Sequence, residues 1–271
     1  MQKNFLQLLF CLGILYAGAE PTKDTIQKSS TLSYLFAKPE CLLKPEVRPF
    51  ITDDARVVGN QLFQIETWGR LDKANLQWWV LAAYGPTPWL ELTTGWVKGA
   101  DFEPERGFAY ALPLIQAKFL LKEYKPNQMP GFGLVLGTFL PHGQGSFKPP
   151  GYGTFGFLTI TQSLGEGDKF LFHGNVGFNY LHVAGEHQWL NTWGIGTQIK
   201  TYGGFHLVGE MFSGDPYVPG SGTSFQVGFR HFFSDDLQID ATIGKGIAGD
   251  EILPLWVSAG VRMVFHWFEK K

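Results

Sequence analysis

Apolar and polar residues alternate with a period of two in segment after segment of this chain, as they do in strands whose two faces meet different surroundings. Between residues 170 and 180, Phe170, Phe172, Gly174, Val176, Phe178 and Tyr180 alternate with Leu171, His173, Asn175, Gly177 and Asn179. One face is aromatic and the other is small or polar. Further on, Phe225, Val227 and Phe229 oppose Ser224, Gln226, Gly228 and Arg230, and after a turn at Ser234-Asp235-Asp236, Leu237, Ile239, Ala241 and Ile243 oppose Gln238, Asp240, Thr242 and Gly244. The last segment sets Val257, Ala259, Val261, Met263, Phe265 and Trp267 against Ser258, Gly260, Arg262, Val264 and His266, with an aromatic close at Phe268.

The same test along the chain predicts strands at 61–70, 75–84, 88–98, 107–120, 130–140, 152–163, 169–182, 189–200, 204–213, 222–232, 236–246 and 255–268. Twelve is an even number, so both ends of an antiparallel array reach one side and its first and last strands can pair. Closure removes the unpaired edges that lipid would penalise. The expected fold is all-β, a transmembrane antiparallel up-and-down β-barrel of about 12 strands over residues 61–268.

Turns on the side of the termini are expected at Tyr84-Gly85-Pro86-Thr87, Gly165-Glu166-Gly167-Asp168, Tyr202-Gly203 and Ser234-Asp235-Asp236. The longer Pro- and Gly-enriched linkers, 99–106, 141–151 and 214–221, fall on the other side, and 121–129 is a long linker on the terminal side. Trp68, Trp89, Trp96, Trp189, Trp256 and Trp267 lie near strand ends, where an amphipathic ring favours the membrane interface; simple packing is the alternative. Residues 20–60 show little alternation and form an N-terminal extension, either a disordered leader or a partial plug.

Composition changes the picture by placing the barrel in lipid. Aromatic residues reach 15% and charged residues only 17%, with 34 Gly and 9 Trp. After the first residues no stretch approaches the 18 or so uninterrupted apolar positions a spanning helix needs. At the start, Lys3 precedes an apolar run from 5 to 16 and the small residues Ala17-Gly18-Ala19, the pattern of a signal peptide over 1–19. Its removal takes Cys11 and leaves Cys41 alone, so a disulfide-stapled scaffold is excluded. The formal charge of -2 is scattered with no basic block, which argues against nucleic acid as a partner.

Candidate chemistry lies on the polar strand faces. Lys200, His206, Glu210, Gln226, Arg230, Asp240, Arg262 and His266 form a candidate lumen wall, either a ladder that selects solutes or a set of salt bridges that satisfies a filled interior. Asp53 and Asp54 precede the barrel and are placed to latch a plug onto Arg230 or Arg262; the alternative is an exposed turn. No His-x-Ser pair occurs to activate a lipid-facing nucleophile, the seven His show no metal spacing, and Gly-rich stretches such as Gly131-Phe132-Gly133 fall within strands. No catalytic residue, metal or cofactor is therefore expected.

The run Arg48-Pro49-Phe50-Ile51-Thr52-Asp53-Asp54, followed by Gly59 and Phe63-Gln64-Ile65-Glu66, resembles the outer-membrane family named for the meta-pathway of phenol degradation. Tyr84-Gly85-Pro86-Thr87-Pro88-Trp89-Leu90-Glu91-Leu92, Gly228-Phe229-Arg230 through Ser234-Asp235-Asp236-Leu237-Gln238-Ile239-Asp240, and Gly260-Val261-Arg262 extend the likeness over most of the barrel. Residues 20–47 and the stretch at Arg56-Val57-Val58 depart from it. The resemblance implies an outer-membrane pore or transporter, distantly similar to the long-chain fatty acid transporters; Arg48, Asp53 and Asp54 lie in the stretch 45–60 expected to form a partial plug.

The function expected from these readings is passive uptake of small hydrophobic or amphipathic, including aromatic, solutes by a monomeric barrel. Its partners would be outer-membrane lipid, the barrel-assembly machinery and a small-molecule solute. A structural or adhesive barrel and a lipid-modifying barrel enzyme are the competing readings.

Overall fold

The computed structural model describes residues 51–103, 106–215, 220–249 and 252–266. Its strands are β1 (Phe63–Asp72), β2 (Asn75–Thr87), β3 (Leu90–Asp101), β4 (Gly107–Lys122), β5 (Gly131–Gln144), β6 (Tyr152–Leu164), β7 (Phe170–Val183), β8 (Glu186–Lys200), β9 (Phe205–Ser213), β10 (Thr223–Phe232), β11 (Leu237–Ala248) and β12 (Trp256–Phe265). Each pairs antiparallel with its sequence neighbour. The first and last close the ring along a register from Phe63↔Phe265 to Asp72↔Trp256. The architecture is the closed twelve-stranded barrel that the alternation predicts.

Side-chain exposure fixes which face looks where. On β10, Phe225, Val227 and Phe229 are 39%, 49% and 38% exposed, whereas Ser224, Gln226 and Arg230 are 0%, 7% and 1% exposed. Every strand puts at least one large apolar side chain outward in this way, from Leu71 on β1 to Val257 on β12. An outer wall with large apolar side chains exposed on every strand is unfavourable in water and is what a lipid-facing barrel requires. Val227→Arg, at the middle of β10, is expected to cost roughly 2–4 kcal/mol, and Tyr202→Arg, in an exposed turn, under about 1 kcal/mol. Equilibrium unfolding of the two variants from lipid bilayers checks the contrast.

Three local features depart from simple hairpins, each for a physical reason. β7 and β8 zip to their tip, so β8 starts at Glu186 and not at 189, because Ala184 (φ 51°) and Gly185 (φ 87°) make a two-residue turn with both φ positive. The turn expected at Tyr84-Gly85-Pro86-Thr87 moves to Pro88-Trp89. Gly85 is instead engaged by the chain before β1: Gln61 N–H donates to its carbonyl at 2.6 Å, and its own N–H donates to Leu62 O at 3.1 Å. A Cβ on Gly85 would stand 1.8 Å from Gly59 O, so only glycine allows this approach. On β4, the register shifts on both sides near Pro113, which has no N–H for the ladder. Buried positions are consequently odd before it (Ala109) and even after it (Leu114, Lys118).

The long linker after β4 folds onto the turn after β6. Asn127 (φ 58°) accepts from Gly165 N–H at 2.6 Å and donates its own N–H to Ser163 O, while Tyr124 Oη donates to Asp168 at 3.0 Å. Burial pushes the Tyr124 phenol up to about 12. The length of this linker therefore covers the barrel end at which the chain enters and leaves.

The interior is filled unevenly. Leu81, Leu114, Val135, Phe155 and Phe157 form a buried apolar cluster on β2, β4, β5 and β6, with Trp68 and Phe139 packed against it. Trp68 and Trp79 stack at 5.5 Å, 5° from parallel. Trp68 thus belongs to the inner wall and not to the interface expected for it. So does Trp256, 3% exposed with the Arg70 guanidinium 4.4 Å from its ring. Trp96 and Trp189 do point outward, Trp89 stacks on Phe119, and Trp267 lies outside the described residues.

Candidate functional site: the barrel interior and the segment it holds

Of the eight side chains expected on the lumen wall, six are buried on the inner face: His206, Glu210, Gln226, Arg230, Asp240 and Arg262. Lys200 and His266 sit exposed at the barrel end, where His266 meets Asp236 at 2.9 Å. The six are linked largely through glutamine amides. Arg230 donates to Gln198 Oε1 at 2.7 Å, and the Gln198 amide reaches His206 Nδ1 at 3.0 Å. Arg262 donates to Gln64 Oε1 at 2.7 Å, and Gln64 passes a hydrogen bond to Glu66. Gln226 donates to Glu210 and accepts from Thr242 and Trp256. Arg230 stands directly across from both Asp240 and His206 in the ladders. An amide offers a donor and an acceptor together, so each Gln satisfies a charge on one side and a neutral group on the other.

Into this interior rises the chain that precedes β1. From Leu62 back to Ile51 it touches inward-facing groups of strand after strand. Val58 N–H donates to Glu91 on β3 at 2.8 Å, and Ala55 N–H donates to Thr161 on β6 at 2.9 Å. Thr159 Oγ1 donates to Asp53 O at 2.7 Å. With its amide oxygen turned toward the segment, Asn175 on β7 accepts from Asp53 N–H at 2.7 Å and donates to Asp53 O at 2.9 Å. Thr52 and Ile51 N–H both donate to the Glu210 carboxylate on β9, at 2.7 and 3.2 Å. A stretch that bonds to β3, β6, β7 and β9 at once lies inside the ring. Gly194 on β8 leaves room for it, since a Cβ there would be 2.5 Å from Thr52 Oγ1.

The two aspartates are the charged centre of this segment. Asp53 accepts from Lys118 Nζ at 2.8 Å, and Asp54 receives Arg56 in a fork at 2.6 and 3.1 Å with Lys118 at 3.5 Å. The expected latch onto Arg230 or Arg262 is therefore corrected: those two guanidiniums serve Gln198 and Gln64, and the barrel-wall cation that meets the aspartates is Lys118. Pro113 hid it, because the phase change on β4 makes Lys118 read as an outward position. Arg48 lies outside the described residues.

Burial, reinforced by Asp54 and Glu91 nearby, raises the Asp53 carboxyl to about 6 even though Lys118 opposes the rise. For Asp54 burial also favours the neutral form, but Arg56 and then Lys118 outweigh it and hold the group well below the usual carboxylate range. The difference follows from partners: Asp54 has a bidentate guanidinium, and Asp53 shares one ammonium with its neighbour.

Sequence reasoning missed most of the other inner charges, including Glu66, Arg70, Asp72, Glu91, Asp101 and Asp215. Those on β1 and β3 do sit on one parity, which is the signal that could have found them. Among the described residues, no group of three or more His, Cys, Asp or Glu side chains is placed to hold a metal ion.

The backbone matches known barrels. An outer-membrane channel from Pseudomonas putida F1 superposes with a TM-score of 0.60 at 11% identity, over 81% of this chain and 100% of that one. The KdgM porin, solved with disordered oligogalacturonate, gives 0.53 at 9% identity over 75% and 99%. This chain has the fold of outer-membrane channels. At these identities the likeness is one of fold. No protein-family model and no curated protein matches the sequence.

Proposed function

We propose that this chain is a non-enzymatic outer-membrane channel for passive movement of small hydrophobic or amphipathic solutes, with residues 51–62 acting as a partial plug. The observation that carries the reading is the hydrogen-bonded segment inside a closed barrel whose outer wall is apolar and whose inner wall is polar. The channel folds with which it superposes support it. The resemblance to the phenol-degradation family supports aromatic compounds among the solutes, and the apolar inner cluster around Trp68 and Phe155 would receive them. In this reading residues 1–19 direct export, the barrel-assembly machinery inserts a monomer, and lipid covers the outer face.

Purified protein in a planar bilayer tests the proposal. Stepwise conductance is the expected result; a silent membrane at every voltage, also after removal of the segment, would leave a structural or adhesive barrel.

The plug predicts a pH response whose sign follows from Asp53. In the docked segment this carboxyl binds a proton up to about pH 6, against an ordinary 3.8, so docking takes up a proton between those values. The docked state gains stability as the pH falls through 6. Asp54 works the other way, but only in strong acid. Conductance is thus expected to decrease from pH 7 to pH 5, and Asp53→Asn should abolish that dependence.

A further inference from the structure

The charges buried inside the barrel do not balance. Among the described residues, nine carboxylates are buried against four cations, with Arg56 adding a partly buried fifth. The excess runs through both halves of the lumen, and part of it lies in the half away from the chain termini. There Asp72, Asp101 and Asp215 face Arg70 as the one buried cation among the described residues, and the charges of Asp72 and Asp215 both act on it. Lower down, Asp53, Asp54, Glu66, Glu91, Glu210 and Asp240 face Lys118, Arg230 and Arg262, with Arg56 beside Asp54.

Two further side chains in the same half point to a polar occupant. Asn179 on β7 is 1% exposed with neither its amide oxygen nor its amide nitrogen hydrogen-bonded, and Ser224 on β10, fully buried, has an unpartnered hydroxyl. Both sit on the inner parity of their strands. A buried amide or hydroxyl without a partner costs free energy unless something else satisfies it.

The apolar part of the lumen lies beside these acids. On the inner face of β1, Trp68 stands between Glu66 and Arg70, stacked on Trp79 of β2. Carboxylates next to aromatic faces attract a positive charge from two directions, by direct Coulomb attraction and through the ring quadrupole. They offer nothing to an acid. A low-dielectric wall focuses the field of fixed charges into the passage between them, so a net negative lining repels anions along its length.

We propose that this channel selects cations, that among organic solutes it favours those joining a positive group to an apolar body, and that it excludes acidic ones. The inference rests on the channel reading above and narrows its substrate class.

Full-length protein in a planar bilayer, under a KCl gradient at low ionic strength, gives the potassium-to-chloride permeability ratio from the reversal potential. A ratio of about threefold or more is expected. Replacing the salts with benzyltrimethylammonium chloride and then with potassium benzoate compares a cation and an anion of similar bulk; the ammonium should permeate and the benzoate should not. A ratio at or below one, or benzoate passing as readily as the ammonium, overturns the proposal. Conductance without cation preference sinks this inference alone, whereas silence from both the full chain and its 51–60 deletion removes the channel and its selectivity together. Glu66→Gln with Asp240→Asn, which keeps side-chain size, should lower the ratio at least about twofold; Asp215→Asn provides an independent neutralisation should that pair misfold. An unchanged ratio in folded variants also counts against the proposal.

Discussion

Removing residues 51–60 is expected to raise single-channel conductance about threefold or more while leaving the barrel intact. The segment supplies backbone donors to Glu91, Thr161 and Glu210 and sets Asp53 on Lys118, so it occupies the lumen from the terminal end to about mid-depth. None of the strand pairings uses it: β1 begins at Phe63 and closes on β12 by its own register. The deletion therefore opens the passage without unzipping the wall. Single-channel recording of the deleted and full chains, with heat-modifiable gel mobility as the measure of folding, decides the matter. Equal conductance in two folded proteins would mean that the segment does not limit flow.

Lys118→Met is expected to release the same segment without shortening the chain. The ammonium lies 2.8 Å from Asp53 and 3.5 Å from Asp54, with side chains 4%, 8% and 6% exposed. Taking away one partner of a buried pair strands the other, at a cost of about 3–5 kcal/mol. Here the stranded group is Asp53, which then has Asp54 and Glu91 as acidic neighbours. Its escape is either protonation or departure from the lumen. Asp53→Asn should be milder, because it removes a like charge together with the pair. A cysteine placed at Thr52 reports the result: a water-soluble maleimide should label it faster in the Lys118→Met background and little faster in the Asp53→Asn background. Equal protection in all three proteins would show that the neutral hydrogen bonds hold the segment unaided.

The wall was legible in the sequence because lipid outside and polar groups inside impose opposite demands on successive residues. All twelve strands follow from that alternation, and six of the eight candidate lumen side chains are buried. What escaped were effects that alternation does not encode. Pro113 reverses the phase of β4 and so concealed Lys118. Gly85 looked like a turn residue because glycine serves turns and close approaches alike, and here the neighbour is the carbonyl of Gly59. Trp68 and Trp256 lie near strand ends, which favours the interface for an amphipathic ring, but their parity puts them inside. The aspartate partners were out of reach for a different reason: a segment without regular structure carries no period to say which strand it will meet.

The seam between β1 and β12 also dictates an order of events. The segment that ends at Leu62 continues straight into β1, while the strand that must clasp β1 is the last one synthesised. Until that clasp forms, the sheet is an open curl and the leading stretch can settle against its concave side. Afterwards the segment enters and leaves only through the barrel end at which β1 begins. Sealing the ring thus completes the chamber in which the segment docks, and a mismatch along the final seam would weaken its docking together with the wall.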